Sequence, residues 1–183
     1  MSDLWVFGYG SLMWRPGFAH EEAVQARMVG LHRSLCIFSW VHRGTQAEPG
    51  LVLGLDRGGS CTGTAFRVTA GKETEVVDYL RAREQVTMVY LEARRVVSLA
   101  DGSDRKVEAL VYIVDRLHEQ YAGKLPLEKQ LEIVRTSQGQ SGHNQDYVLS
   151  TAEHLQECGI RDHTLEWLAT GLSTAMGAGE PGV

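Results

Sequence analysis

Glu84 is a carboxylate on a stripe of apolar side chains. Helical periodicity covers Lys72 to Glu84, and on a wheel of about 100° per residue Glu84 projects between Val77 and Leu80, on the side meant for the core. It also falls at the C-terminal end of that helix, where the dipole favours cations. Arg81 and Arg83 suit this end and Glu84 does not. The dipole and burial both raise a carboxyl pKa. A raised carboxyl is what a general acid or base working near neutral pH requires. If the helix ends earlier, Glu84 is instead a solvated or ion-paired surface residue, and the residues alone leave both readings open. Glu73 projects near the same face but lies in the first turn, where acids are expected, and is read as structural.

A base needs a ligand held nearby, and the second candidate feature is a glycine loop. Val6-Phe7 runs into Gly8-Tyr9-Gly10-Ser11, followed by Leu-Met-Trp and Arg-Pro-Gly-Phe. A dinucleotide fingerprint fails here, because the third glycine is missing and Pro16 arrives too early for a helix opening at Gly10. A phosphate loop of the Gly-Lys-Ser/Thr kind fails as well. Two readings remain: a tight turn that uses glycine for its backbone freedom, or successive backbone N–H groups that hold an anion such as a carboxylate, with the Ser11 hydroxyl adding a donor.

The other chemistry-bearing residues point less sharply. His42-Arg43-Gly44 sits in a polar loop, read either as a solvated turn or as a substrate-contacting loop. His154, Cys158 and His163 lack a fourth ligand, so no metal site is expected. Ser141-Gly142-His143-Asn144 reads as a turn with Asn144 as a helix N-cap. Tyr147 follows, as a core or pocket residue. No Gly-x-Ser-x-Gly elbow appears and no cysteine stands in a catalytic context.

The elements that must position these groups follow from pattern. Leu4 to Phe7 is a short buried strand. Ala23 to Trp40 holds one or two strands, and His42 to Gly50 is a loop. Leu51 to Leu55 and Thr62 to Val68 read as a hairpin around Asp-Arg-Gly-Gly-Ser. After the helix ending at Glu84 come β-rich segments at Val86 to Leu99 and Val107 to Val114, separated by an Asp101-Gly102 turn. Helices are expected at Leu127 to Gln138, Asn144 to Cys158 and Thr164 to Met176. Strands first and helices last make an α+β chain, with a curled or closed sheet. With 183 residues and no internal linker, one domain over 1–176 is expected, followed by a flexible tail over 177–183.

Bulk properties exclude several classes. The net charge of -5 and the lack of any basic run argue against a nucleic-acid binder. No segment approaches the ~20 apolar residues of a membrane helix. Met-Ser-Asp-Leu-Trp has neither the basic nor the apolar part of a signal peptide. Three scattered cysteines form no disulfide framework. A cytoplasmic location is expected.

In combination, the residues resemble the ChaC-type γ-glutamylcyclotransferases, which act on glutathione. The resemblance is carried by VFGYGSLMWRPGF at 6–18, by Arg43-Gly44 with Pro49-Gly50, and by YLRARE at 79–84. It continues with YAGKLPLE at 121–128 and SGHNQDYVL at 141–149. These blocks stand in order and span nearly the whole chain except the tail. Lys124 replaces the proline more common in that family, and Val148 follows Tyr147 where leucine is usual.

The resemblance implies a γ-glutamylcyclotransferase-like fold, a small mixed β-barrel with flanking helices. It implies that Val6, Phe7, Gly8, Tyr9, Gly10 and Ser11 bind the γ-glutamyl group, that Glu84 is the proton acceptor, and that Tyr147 lines the pocket. Arg43 is assigned to the substrate on its loop position. The chemistry implied is an internal aminolysis in which the substrate carries its own nucleophile. No Ser or Cys nucleophile, metal or organic cofactor is then required. Glutathione is the implied small-molecule substrate, with no nucleic-acid, membrane or obligate protein partner. The alternatives are other γ-glutamyl amines or dipeptides, and a non-catalytic γ-glutamyl-binding protein.

Overall fold

The computed structural model describes residues 3–177, with side chains through Thr174. Apart from Gly177, which closes the last helix, the tail expected at 177–183 lies outside the described residues. Contacts divide the described residues into two compact units, one of residues up to 34 with 53–121 and one of residues 35–52 with those from 122 onward. No described helix is long and apolar enough to cross a membrane.

Five strands close a barrel in the order β1-β3-β2-β4-β5. They are β1 (Trp5–Gly8), β2 (His20–Ser39), β3 (Gly50–Val68), β4 (Tyr90–Leu99) and β5 (Lys106–Val114). The barrel is mixed. β1 runs antiparallel to β3, with Val6 opposite Phe66 and Gly8 opposite Thr64, but parallel to β5, with Trp5 opposite Ala109. β4 joins β5 along its whole length and meets β2 at Ala26–Leu99. The α+β reading with a small mixed barrel agrees with this architecture.

In the first unit, helix α1 (Glu73–Glu84) packs Val76 and Leu80 onto a core of Leu4, Val6, Leu12, Val68, Leu110 and Tyr112. These two positions, four apart, are the buried pair of the helix, while Val77, which the wheel places on the core side with Leu80, is half-buried against the same core. The second unit contains α2 (Leu127–Thr136), the two-residue strands β6 (Gln138–Gly139) and β7 (Gly142–His143), α3 (Asn144–Glu157) and α4 (His163–Gly177). The three helices pack on one another through buried Val134, Val148, Leu155, Leu165, Leu168 and Leu172.

The hairpin expected at 56–60 is not there. β3 is continuous through it, and Gly58 and Gly59 take positive φ (100° and 64°) inside the strand. The segment has the composition of a tight turn, yet His32 of β2 bonds the Gly58 carbonyl through Nδ1 (3.0 Å) and ties the glycines into the sheet. Glycine supplies the same backbone freedom to a strand irregularity as to a turn.

Beside this irregularity, Asp56 is buried. Burial pushes its pKa up. The Arg116 guanidinium (2.6 Å), the Tyr121 hydroxyl (2.7 Å) and the Arg57 amide (2.8 Å) outweigh that and leave it lowered. A lowered folded pKa contributes stability above the ordinary aspartate pKa and loses it as pH falls through the folded value. Asp56→Asn is therefore expected to cost about 1–2 kcal/mol at pH 7. In urea titrations, the gap from the parent chain should narrow at pH 3.

Candidate functional site

The glycine loop leaves the barrel at the end of β1. Val6 and Phe7 are fully buried, and Val6 is laddered to β3 on one side and β5 on the other. Their side chains belong to the core. Tyr9 is buried, Gly10 half-buried, and Ser11 exposed at the start of a 3₁₀ turn, Ser11–Met13. No residue from 6 to 11 has a positive φ, so neither loop glycine is present for left-handed backbone.

Close approach explains Gly8 instead. A Cβ there would stand 3.0 Å from Leu12 Cβ and 3.3 Å from the Met13 nitrogen. Gly8 lets the 3₁₀ turn fold back over the strand end. Gly63 of β3 is under tighter constraint, since a Cβ there would overlap the Gly8 carbonyl oxygen and reach 2.8 Å from Phe7 Cζ.

Two arginines hold this loop. From β2, Arg33 donates through Nε to the Tyr9 carbonyl (2.6 Å) and through Nη2 to the Thr62 carbonyl (2.7 Å). From α1, Arg83 donates through Nη2 to Ser11 Oγ (2.9 Å) and through Nη1 to the Arg15 carbonyl (2.7 Å) and the Tyr79 hydroxyl (3.0 Å). The same guanidinium faces the candidate base, with Arg83 Nε 3.4 Å from Glu84 Oε1.

Glu84 is the last residue of α1, and its side chain is 17% exposed. Burial raises its pKa, and the Arg83 charge acts in the opposite sense. A half-buried carboxyl with a cation alongside is suited to take and return a proton. Arg81 does other work, gripping both oxygens of Glu92 at 2.8 and 3.0 Å. Glu73 begins α1, as expected for a structural acid.

The remaining predicted residues belong to the second unit, where two of them meet. The Arg43 guanidinium lies over the Tyr147 ring, 5.6 Å from its centroid, and donates through Nη1 to the His143 carbonyl (3.1 Å). Gly44 and Gly50 have a packing reason, because a Cβ on Gly44 would overlap the Gly50 nitrogen and one on Gly50 would overlap the Arg43 carbonyl oxygen. Gly139 of β6 is equally confined, since a Cβ there would stand 2.5 Å from the Val41 carbonyl oxygen and 2.6 Å from the Gly44 nitrogen.

Asn144 is not the cap expected of it. His143 holds that position, and Asn144 is a fully buried first-turn residue. Its amide accepts from the Leu51 N–H and donates to the Leu51 carbonyl, both at 2.8 Å, as a neighbouring strand would. Asn144→Ala leaves both buried Leu51 groups without that partner. It is expected to cost about 2 kcal/mol, read as a lower urea midpoint at unchanged slope.

Among the described residues no three His, Cys, Asp or Glu side chains gather to hold a metal ion. Arg83, Arg33 and Gly63 are the positions that sequence reasoning did not assign to the site. RARE at 81–84 gives some signal for Arg83, but its partner Ser11 is remote in sequence.

Comparison with known proteins adds ancestry to this geometry. The model of a family described as ChaC-like protein matches residues 4–174. The glutathione-specific gamma-glutamylcyclotransferase of Escherichia coli (strain K12) is 32% identical over 178 residues, 97% of this chain and 76% of the relative. The Homo sapiens glutathione-specific gamma-glutamylcyclotransferase 1 is 34% identical over 177 residues, 94% of this chain and 80% of the relative. In fold, the chain is similar to the crystal structure of a gamma-glutamylcyclotransferase specific to glutathione from yeast. That likeness has a TM-score of 0.83 at 23% identity, over 95% of this chain and 97% of the other. With nearly its whole described length matched in sequence, and the barrel matched in structure, the chain belongs to the ChaC-like family.

Proposed function

We propose that this protein is a glutathione-specific γ-glutamylcyclotransferase that releases 5-oxoproline and Cys-Gly. The observation that carries the reading to the site is the half-buried Glu84 carboxyl, joined to the glycine loop through Arg83. The α-amine of the γ-glutamyl unit attacks its own γ-carbonyl, the five-membered lactam closes, and the bond to the cysteine nitrogen breaks. Two protons move from the attacking to the departing nitrogen, one before and one after the tetrahedral stage, and Glu84 relays both. Backbone amides of Gly8 to Ser11, with the Tyr9 and Ser11 side chains, hold the γ-glutamyl end and stabilise charge on the carbonyl oxygen. Tyr147 and Arg43 are further substrate-binding candidates, Tyr147 on the resemblance of its block and Arg43 on its loop position. Folding the substrate so that amine and carbonyl meet supplies much of the acceleration.

Residues 1–176 act as one domain in this reading, supported by the single family match over 4–174. The substrate is a small molecule and the chemistry uses no metal or organic cofactor. The enzyme works in the cytoplasm, without a nucleic-acid, membrane or obligate protein partner. The test is incubation of the purified chain with glutathione, with 5-oxoproline and Cys-Gly measured by mass spectrometry. γ-Glutamyl dipeptides and γ-glutamylamines run in parallel. Equal turnover of those compounds would remove the glutathione specificity, and glutathione binding without 5-oxoproline would remove the enzyme.

A further inference from the structure

We infer that Arg83 is a positioning residue, whose single guanidinium fixes the Glu84 carboxylate and the Ser11 hydroxyl in one relation to each other. The inference rests on the reading of Glu84 as the proton-transfer group. A guanidinium is planar and presents its donors in a rigid fork. Here the nitrogens of one plane serve both, Nε the base and the two Nη atoms the loop and its surroundings. Nη2 reaches Ser11, Nη1 reaches the Arg15 carbonyl and Tyr79 hydroxyl, and Nε faces Glu84. The loop side cannot shift without tilting the plane that Glu84 faces.

The anchor is itself confined. The Tyr79 hydroxyl fills the space that a side chain at Gly17 would need, and Gly17 has a φ of 74°. Tyr79 also packs edge-on against Phe18, with centroids 6.5 Å apart. A guanidinium serving only the helix dipole would not need this set of partners. Arg81, two residues earlier, supplies a cation to the same helix end and turns to Glu92.

The electrostatic surroundings of Glu84 are specific. On its own helix it faces Arg83. From β5 it faces the Tyr112 phenol, whose pKa burial and the neighbouring carboxylates push well above the usual tyrosine value. That phenol donates to Glu92 of β4 (3.3 Å), and Arg81 neutralises Glu92. Arg83 is therefore the cation that opposes the effect of burial on Glu84.

The test compares the parent chain with Arg83→Met and Arg83→Lys. Both kcat and KM for 5-oxoproline release are measured across pH, and the Glu84 carboxyl is titrated by ¹³C NMR without substrate. Arg83→Met is expected to lower kcat by about 10²-fold, the scale of a misplaced catalytic group. It should also move the acid limb of the pH profile, and the Glu84 titration, to higher pH. Arg83→Lys keeps the charge without the fork. It should restore the titration towards that of the parent while kcat stays low.

A purely structural role would lower the melting temperature of both variants and leave the Glu84 titration and the acid limb in place, and that result overturns the inference. If Arg83→Met does not fold, Arg83→Lys decides: parental kcat in that variant also overturns it. Failure of the functional reading looks different. The parent chain would then make no 5-oxoproline, while the Glu84 titration would still move in Arg83→Met.

Discussion

Glu84→Gln is expected to reduce 5-oxoproline release from glutathione by at least about 10²-fold, the lower end of what a positioned acid–base group contributes. The amide keeps the shape of the side chain and its place at the end of α1, but it cannot relay a proton. The fold should survive. Burial makes the ionised carboxylate unfavourable, so its folded pKa lies above the unfolded one. Stability from such a group is fully present below the unfolded pKa and is lost as pH rises through the folded pKa. The glutamine variant, which has no such loss, should melt at or above the temperature of the parent chain at pH 8. That relative gain should disappear by pH 4. Near-normal turnover would take Glu84 out of the mechanism, and a large fall in melting temperature at pH 8 would make it a structural ion instead.

Gly63→Ala is the second large effect. A methyl group at this position meets the Gly8 carbonyl oxygen and Phe7 Cζ, backbone on one side and a buried ring on the other. Overpacking of this kind costs about 1–3 kcal/mol. The strain falls where β1 hands over to the glycine loop. The expected result is a clear fall in melting temperature together with at least about tenfold lower kcat, because a small displacement of a binding loop is costly in rate. Gly59→Ala is the contrasting case. Its φ of 64° strains any side chain, but its neighbour is the His32 side chain, and it should lose stability with little change in kcat. Equal kcat for Gly63→Ala and the parent would show that the strand end has slack.

The setting of Glu84, half-buried at the end of α1, was legible because a helical wheel needs only neighbouring residues. The short strand at the N-terminus and the four helices were legible for the same local reason. The continuity of β3 was not, since Gly58-Gly59 has the composition of a turn and its tie to His32 of β2 is remote in sequence. Asn144 misled because an amide that caps a helix and one that pairs with a strand look alike in sequence. Which use it has depends on Leu51, on a separate element. Gly63 carries no local signal at all: its need for glycine is created by Phe7 and Gly8. Arg83 fitted a dipole argument well enough to hide its contacts with the loop. Groups defined by neighbours close in sequence could be read, and groups defined by remote partners could not.

The parallel pairing of Trp5 with Ala109 has a consequence for synthesis. β1 leaves the ribosome about a hundred residues before the strand that completes its pairing. At about 5–20 residues per second that is a wait of roughly 5–20 s. During this time Trp5, Val6 and Phe7, all buried in the finished barrel, are open to water and to other chains. β1 is fully enclosed only once β5 is made, so newborn chains are exposed to chaperone capture or aggregation through the segment that later presents the glycine loop.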